Sequence, residues 1–285
     1  MVEQDFQGLM RRTFTGLLPA CALVTVFLLM PLLLLFRYSL NRFVPGEFMV
    51  DALTLENYEK FVDDPYYRGI LQTTLVMSAV VTTACLLLGF PLATLLVRLN
   101  ARWKPVVLLL IILPLFVGNA VRAAGWMVVL GQKGLLNTLL QAAGLPVATL
   151  MYTPVGVFIG IVSVNLPFVV LTLQSVLEGQ DASVREAALG LGAGPAGTFR
   201  LVTLPLARAG VIAAATLCFI LSMNAYATPI LLGGPRFQMM APMVATQVLD
   251  QSNWPFGAAV AFVLIAVTLV LTIATGAVFG RQRMP

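Results

Sequence analysis

The side chains that most often carry out chemistry in proteins are scarce in this sequence. It contains no histidine, and its three cysteines, Cys21, Cys85 and Cys218, each lie inside an apolar run, without CxxC spacing or a second type of metal ligand nearby. The apolar runs also contain no Asp or Glu, which leaves them no carboxylate pair for acid–base catalysis. A glycine-rich phosphate-binding loop ending in Gly-Lys is absent as well. The sequence therefore predicts no catalytic residue, no metal and no resident cofactor.

Neutral polar and aromatic side chains inside the apolar runs are the remaining candidates for a functional role. Amides and hydroxyls can hydrogen-bond a passing solute, and the face of an aromatic ring attracts a cation by about 0.5–2 kcal/mol. The same residue types also join membrane helices to each other by hydrogen bonds, and tryptophan is typical of an interfacial anchor. The candidates for a solute pathway are Asn119, Trp126, Ser163, Asn165, Asn224, Tyr226 and Thr228.

The type of secondary structure that must position these residues can be inferred from the amino-acid composition. Of the 285 residues 59% are apolar and 10% are charged, with a mean hydropathy of +0.94, whereas soluble domains are about 25% charged. This composition excludes an ordinary water-soluble enzyme, a disordered chain and a disulfide scaffold. It predicts an all-α polytopic membrane protein, with one transmembrane domain over 1–285. Six spans are predicted, at about 13–36, 69–97, 105–130, 155–177, 209–232 and 257–280.

The positive charges favour an orientation with both termini in the cytoplasm. With the N-terminus inside, ten of the 17 Lys and Arg residues fall on the inner side, and three of them lie in the short loop 98–104, which has no acid. Short loops are where the positive-inside rule is most reliable. On the outer side, segments 134–144 and 233–256 are longer than simple turns and predict short helices in the membrane interface.

The inner segment 178–208 differs from the other loops. Ser183, followed three residues later by Glu186, has the spacing of a capping box and predicts the start of a short helix. The glycines within 190–194 predict a helix stop and a sharp turn, and Pro195 suits the first turn of a second helix. Two helices joined in this way at a membrane surface can insert an apolar face into a groove on another protein.

The spacing within this segment resembles the coupling-loop motif of permeases from binding-protein-dependent ABC importers. In that pattern Glu-Ala-Ala is separated by three residues from a Gly. Nine further residues separate this Gly from an aliphatic residue, which is followed by one variable residue and then Leu-Pro. A valine stands here where isoleucine is usual. The matching residues are Glu186, Ala187, Ala188, Gly192, Val202, Leu204 and Pro205. An amphipathic re-entrant helix without a partner would explain the apolar face of the segment but not this spacing.

The resemblance implies a transmembrane subunit with the type I importer fold, in which the 178–208 segment is the coupling helix region. It also implies several partners: an ATP-binding subunit in two copies, a second related permease and an extracytoplasmic solute-binding protein. The chain itself would be non-catalytic, because ATP hydrolysis would take place on the separate ATPase subunit. The expected location is the bacterial inner membrane, in contact with lipid and without nucleic acid.

Weaker motifs resemble the first permease of the spermidine/putrescine branch of this family. They are Arg-Ala-Ala-Gly-Trp at 122–126, Gly-Leu-Leu-Asn at 134–137 and Ala-Thr-Pro-Ile-Leu-Leu-Gly-Gly at 227–234. Importers of other solutes share them, so ferric iron, a phosphonate, an amino-acid derivative and a sulfate-type anion stand as alternatives to a polyamine. Arg122 would repel a cation, so direct binding of a polyamine by this residue is not expected. Its alternative roles are a gate, a contact to the binding protein or a side chain that snorkels to the interface.

The main rival class is an ion-coupled secondary transporter. It requires titratable or ion-coordinating side chains in the spans, and no Asp, Glu or His lies there. Neither a channel filter nor a hydrolase motif is recognisable in the apolar runs. Co-purification of an ATPase would separate an importer from these rivals.

Overall fold

The computed structural model describes residues 2–47, 49–235 and 237–280. Arg236, Arg281 and Arg283, which enter the count of positive charges, lie outside these ranges. The described chain is almost entirely helical, and its β-structure is an isolated bridge between Arg42 and Val50. Its α-helices are α1 (Val2–Ser39), α2 (Glu56–Asp63), α3 (Pro65–Arg98), α4 (Lys104–Ile112), α5 (Asn119–Leu130), α6 (Leu135–Ala142), α7 (Pro154–Glu178), α8 (Ala182–Gly190), α9 (Pro195–Thr198), α10 (Leu204–Met223), α11 (Met240–Ala245) and α12 (Trp254–Gly280).

Five helical stretches within the described residues are long and apolar enough to cross a membrane. They are Cys21–Ser39, Pro65–Arg98, Pro154–Glu178, Pro195–Met223 and Trp254–Ala277. A sixth crossing is available if the pair Lys104–Phe116 and Asn119–Ala142, bent by 99°, counts as one broken span. This helical content confirms the predicted all-α membrane fold.

The third predicted span, 105–130, is divided between α4 and α5 by a sharp bend. The chain tightens into a 3₁₀ turn at Leu113–Phe116, which contains Pro114, and then runs extended through Val117 and Gly118. Proline lacks the N–H that an α-helix needs at this point, so the ladder of backbone hydrogen bonds is interrupted here. The bend directs α5 away from the axis of α4.

The main core lies where α3, α7 and α10 pack together. Val81 of α3, Leu173 of α7 and Ala214 of α10 are completely buried in it. The helices approach closely at Gly210, where an added Cβ would lie 2.5 Å from a methyl carbon of Val176. Small residues at such crossings let membrane helices gain packing contacts that lipid cannot replace. These three helices form the frame that holds both candidate sites described below.

The short helices α2, α6 and α11 lie in the segments that connect the long helices. The predicted interfacial segment 134–144 contains α6, and Asn137 anchors it because its side-chain amide donates to the carbonyls of Gly131 and Ala148 at 3.0 Å each. The amide oxygen of Asn137 accepts from the backbone N–H of Ala148 at 2.9 Å. A buried side chain therefore satisfies three backbone groups of the loop around α6.

Candidate functional site

The coupling loop, defined as residues 178–208, begins with a helix cap that differs from the predicted one. The side chain of Asp181, not Ser183, caps α8, because an Asp181 carboxylate oxygen accepts from the backbone N–H of Ser183 at 2.9 Å. The predicted capping box between Ser183 and Glu186 is therefore wrong. Hydrogen bonds from the backbone and side chain of Ser183 hold the pKa of the Asp181 carboxyl below its ordinary value.

Gly192 closes α8 through a Schellman motif. Its φ of +84° is left-handed, its N–H donates to the carbonyl of Leu189 at 3.0 Å, and the N–H of Ala193 donates to the carbonyl of Ala188 at 3.1 Å. An added Cβ at Gly192 would meet nothing within 4 Å. The sequence predicted a turn here, and the structure gives its reason: Gly192 is needed for backbone conformation rather than for close packing.

The second helix of the coupling loop runs without a break into the membrane. Gly194 precedes Pro195 at the start of α9, as predicted, and Pro195–Met223 is one helical stretch. Between α9 and α10 the helix widens into a π turn at Phe199–Thr203, in which the N–H of Leu204 bonds the carbonyl of Phe199. Pro205 has no N–H to continue the α-helical ladder, which accounts for a change of register at this position.

Three contacts attach the coupling loop and its flanks to the transmembrane frame. The ring of Phe199 meets Phe90 of α3 edge to face, with 5.2 Å between centroids. The Gln180 side chain donates to the carbonyl of Thr203 at 3.3 Å, joining the two ends of the loop. At the start of the loop, Glu178 forms an ion pair with Lys104 of α4. The loop is therefore connected to α3, α4 and α7 as well as to α10.

The motif residues of the coupling loop form an accessible surface with a partly apolar character. Glu186, Ala187, Gly192, Leu204 and Pro205 are exposed, while Ala188 and Val202 are half-buried. Leu191 and Leu201, beside the motif, are 89% and 74% exposed. Contiguous exposed apolar area is typical of a surface that contacts another protein or the membrane. Their side chains extend the surface that the motif alone predicted.

A cavity of about 470 Å³ lies between α5, α7 and the segment after α10. Five of the seven predicted pathway residues line it: Asn119, Asn165, Asn224, Tyr226 and Thr228. The remaining wall is largely apolar, and Leu115, Val164 and Phe168 contribute to it. No feature of the sequence distinguished these apolar residues from lipid-facing ones, so sequence reasoning missed them.

The two remaining predicted residues form a pair outside the lining of this cavity. The indole N–H of Trp126 donates to the Ser163 hydroxyl at 2.8 Å, and that hydroxyl donates to the Gly160 carbonyl at 2.7 Å. Trp126 and Ser163 therefore join α5 to α7, which is the interhelical role left open for these residue types. Asn165 has a pathway position and an interhelical role together, because it lines the cavity and its amide donates to the Ser222 hydroxyl of α10 at 2.8 Å.

Arg122 is the charged residue of the cavity lining. One terminal nitrogen donates to the carbonyl of Val117 at 2.8 Å, within the bend between α4 and α5. The Nε and the other terminal nitrogen are buried and lack a hydrogen-bond partner among the described residues. The cavity therefore combines neutral amides, a phenol and a hydroxyl with one guanidinium group.

A bundle of apolar helices, a cavity inside it that several polar side chains line and a protruding loop at one end are typical of a transmembrane subunit of a transporter. The sequence model for the inner membrane component of binding-protein-dependent transport systems matches residues 85–284, and the chain belongs to this family. It is therefore a permease subunit of an ABC importer of the inner membrane, as the coupling-loop motif predicted. Importers of this family work with an ATPase and a binding protein.

Curated relatives extend the comparison over most of the chain. The spermidine/putrescine transport system permease protein PotB of Haemophilus influenzae is 34% identical over 86% of this chain and 86% of its own length. PotB of Escherichia coli K12 is 34% identical over 86% of this chain and 89% of its own. The molybdenum transport system permease protein ModB of Azotobacter vinelandii is 32% identical over 67% of this chain and 87% of its own.

A solved structure shows the same fold. The bacterial alginate ABC transporter, in complex with an alginate-bound periplasmic protein, contains a chain that matches with a TM-score of 0.76 at 15% identity. The match covers 99% of this chain and 96% of that one. It confirms the predicted type I permease fold.

Proposed function

We propose that this chain forms half of the translocation pathway for a polyamine such as spermidine or putrescine. The observation that carries this proposal is the 34% identity to PotB over 86% of both chains. The motifs at 122–126, 134–137 and 227–234 support the same branch of the family. The first and third of these motifs contribute Arg122, Ala227 and Thr228 to the cavity lining, which supports a place for them in the pathway.

The proposed pathway binds a cation only weakly. Asn119 and Asn224 offer amide oxygens, Tyr226 offers an aromatic face, and the lining contains no carboxylate. Arg122 opposes a long stay of a positive charge in the same cavity. A solute that is held weakly leaves quickly, so high affinity belongs to the extracytoplasmic binding protein and the cavity allows rapid transit.

The proposed assembly contains this chain, a second related permease, two copies of the ATP-binding subunit and the binding protein. Both termini of the chain are cytoplasmic, so the coupling loop faces the ATPases. Glu186, Ala187 and Ala188 on α8 would enter a groove of one ATPase, with Gly192 fixing the turn behind them. Val202, Leu204 and Pro205 would connect the docked helix to α10. ATP hydrolysis takes place on the ATPases, and this chain transmits their closure.

An anion is the second candidate solute. Its support is the 32% identity to the molybdenum permease ModB and the guanidinium of Arg122, two of whose nitrogens have no hydrogen-bond partner among the described residues. An oxyanion would accept from such donors. The two candidates require opposite charges at the same place and are separable by one experiment.

The test is ATP hydrolysis by the reconstituted complex with its cognate binding protein. Spermidine or putrescine at micromolar concentration should stimulate hydrolysis, and molybdate or sulfate should not. The matched control is the binding protein without solute. Stimulation by an oxyanion, with both polyamines inactive, would overturn the polyamine assignment and leave the importer class intact.

A further inference from the structure

A second cavity, of about 270 Å³, lies behind the coupling loop. One wall is the last turn of α3 with Val97 and Arg98, and another is the end of α7 with Leu177. The coupling loop closes the cavity with Arg185 on α8 and Thr198 on α9. The cavity is separate from the solute cavity, with which it shares no lining residue.

The charged side chains around this cavity carry a net positive charge. Arg98 and Arg185 both line it, and neither forms an ion pair within the described ranges. The Asp181 carboxylate also lines the cavity, but it is engaged as the cap of α8. Two arginines and one aspartate leave a charge of about +1, which matches a monoanion such as a phosphodiester better than a dianion.

Thr198 provides a further indication of a ligand. Its side chain is 3% exposed and lines the cavity, and its hydroxyl has no hydrogen-bond partner among the described residues. A buried hydroxyl without a partner is unfavourable, and most such groups in proteins are paired. An oxygen of a ligand in the cavity would accept from this hydroxyl.

The rest of the lining combines neutral polar residues, Thr94, Gln180 and Thr203, with apolar ones on the side of the transmembrane helices. Val97, Leu177 and Phe199 provide apolar surface at the ends of α3 and α7 and next to α10. In the orientation proposed above, this level is the inner membrane interface, where lipid phosphates lie next to the first methylenes of the acyl chains. A free phosphate ion would use the arginines but not the apolar walls.

We propose that this cavity binds the phosphodiester of an anionic inner-leaflet phospholipid, with Arg98 and Arg185 on the phosphate and Thr198 donating to it. Basic pockets between membrane helices on the cytoplasmic side recognise anionic headgroups in this way. The ligand would connect α3 to both helices of the coupling loop, because Arg98 belongs to α3, Arg185 to α8 and Thr198 to α9. An anionic lipid would thereby steady the loop that the ATPase contacts. The inference rests on the proposed orientation but not on the identity of the solute.

The test compares the complete complex in nanodiscs of pure phosphatidylcholine and of phosphatidylcholine with phosphatidylglycerol. Lipids that remain bound to the permease are counted by native mass spectrometry, which does not depend on transport. The test variant is the double substitution Arg98→Gln with Arg185→Gln. The matched control is Arg102→Gln, which removes an exposed charge of the same loop 98–104 outside the cavity.

The wild type and Arg102→Gln should retain phosphatidylglycerol, and the double variant should bind it about 30-fold more weakly, since each basic residue near a membrane surface contributes about a fivefold factor. Thr198→Val, which keeps the shape of the side chain, should lower retention several-fold. Equal retention by the wild type and the double variant would overturn the proposal. Displacement of the lipid by millimolar inorganic phosphate would assign the cavity to a free phosphate instead. Unchanged lipid retention, together with loss of ATPase association when Arg185 alone is replaced in pure phosphatidylcholine, would assign Arg185 to the ATPase and refute the proposal.

Discussion

Replacing Gly192 tests whether the backbone conformation of the coupling loop determines docking. The perturbation is Gly192→Val, which places a β-branched side chain at φ +84°. Because an added Cβ would meet nothing within 4 Å, the cost of placing a Cβ here is conformational rather than steric. A left-handed conformation costs a residue with a Cβ about 1–2 kcal/mol, and more for a β-branched one.

This cost translates into a measurable loss of ATPase association. If the substituted loop must adopt the left-handed turn to dock, 1–2 kcal/mol corresponds to an affinity about five- to thirtyfold weaker. Asparagine tolerates the left-handed region, so Gly192→Asn should lose only about two- to threefold. The matched control is Gly190→Ala, at a neighbouring glycine that also has open space around it and an ordinary helical φ.

The assay titrates the ATPase subunit onto the purified permease pair in detergent, with binding followed by fluorescence. Membrane abundance of each variant is measured in parallel, to show that the spans still fold. Affinities that fall in the order glycine, asparagine, valine, with the Gly190→Ala variant close to the wild type, support the argument. Equal losses for asparagine and valine, or a loss with Gly190→Ala, would show that side-chain volume at the docking surface matters and that the reasoning from φ is wrong.

Three further predictions address orientation, capping and solute charge. Cysteines introduced at Leu55 or Leu139 in a cysteine-free background should react with an impermeant thiol reagent from outside, and one at Ser183 only after the membrane is opened; labelling at Ser183 in intact cells would reverse the orientation. Asp181→Ala should weaken ATPase association several-fold in the same titration, whereas Ser183→Ala should not. Since the folded pKa of Asp181 is depressed, its capping contribution is lost only as pH falls through that low pKa, and association should not change between about pH 6 and 8. Arg122→Gln should leave polyamine uptake equal to or above the wild type, and a tenfold loss of radiolabelled spermidine uptake would contradict a cationic solute.

The local features of the chain were predictable because their causes are local in sequence. The apolar runs specify helices through composition, and the glycines with Pro195 specify a helix, a turn and a second helix. The cap of α8 was assigned incorrectly because Asp181 and Ser183 are both good N-cap residues and lie two positions apart. The Pro114 and Gly118 pair explains in retrospect why 105–130 is bent, since both residues weaken an α-helical ladder.

The arrangement of the cavity was only partly predictable, because it depends on distances between residues far apart in the chain. Polarity within an apolar run identified Asn165 and Trp126 equally well, yet only Asn165 reaches the cavity. Trp126 instead meets Ser163, 37 residues further along the chain. Which of two polar residues faces a cavity depends on how the helices are rotated against each other, and composition carries no information on that rotation.

The helical stretch from Pro195 to Met223 connects the coupling loop at one end to the solute cavity at the other. Its α10 portion of 20 residues is about 30 Å long, so a tilt of about ten degrees at the docked end would displace the far end by about 5 Å. Leu221 in the last turn of α10 and the residues from Asn224 to Thr228 line part of the cavity. If the ATPases tilt the docked end by that angle, the cavity end moves by a distance comparable to the width of an extended polyamine chain. The length of α10 would then determine how far the cavity end moves for a given tilt at the coupling loop.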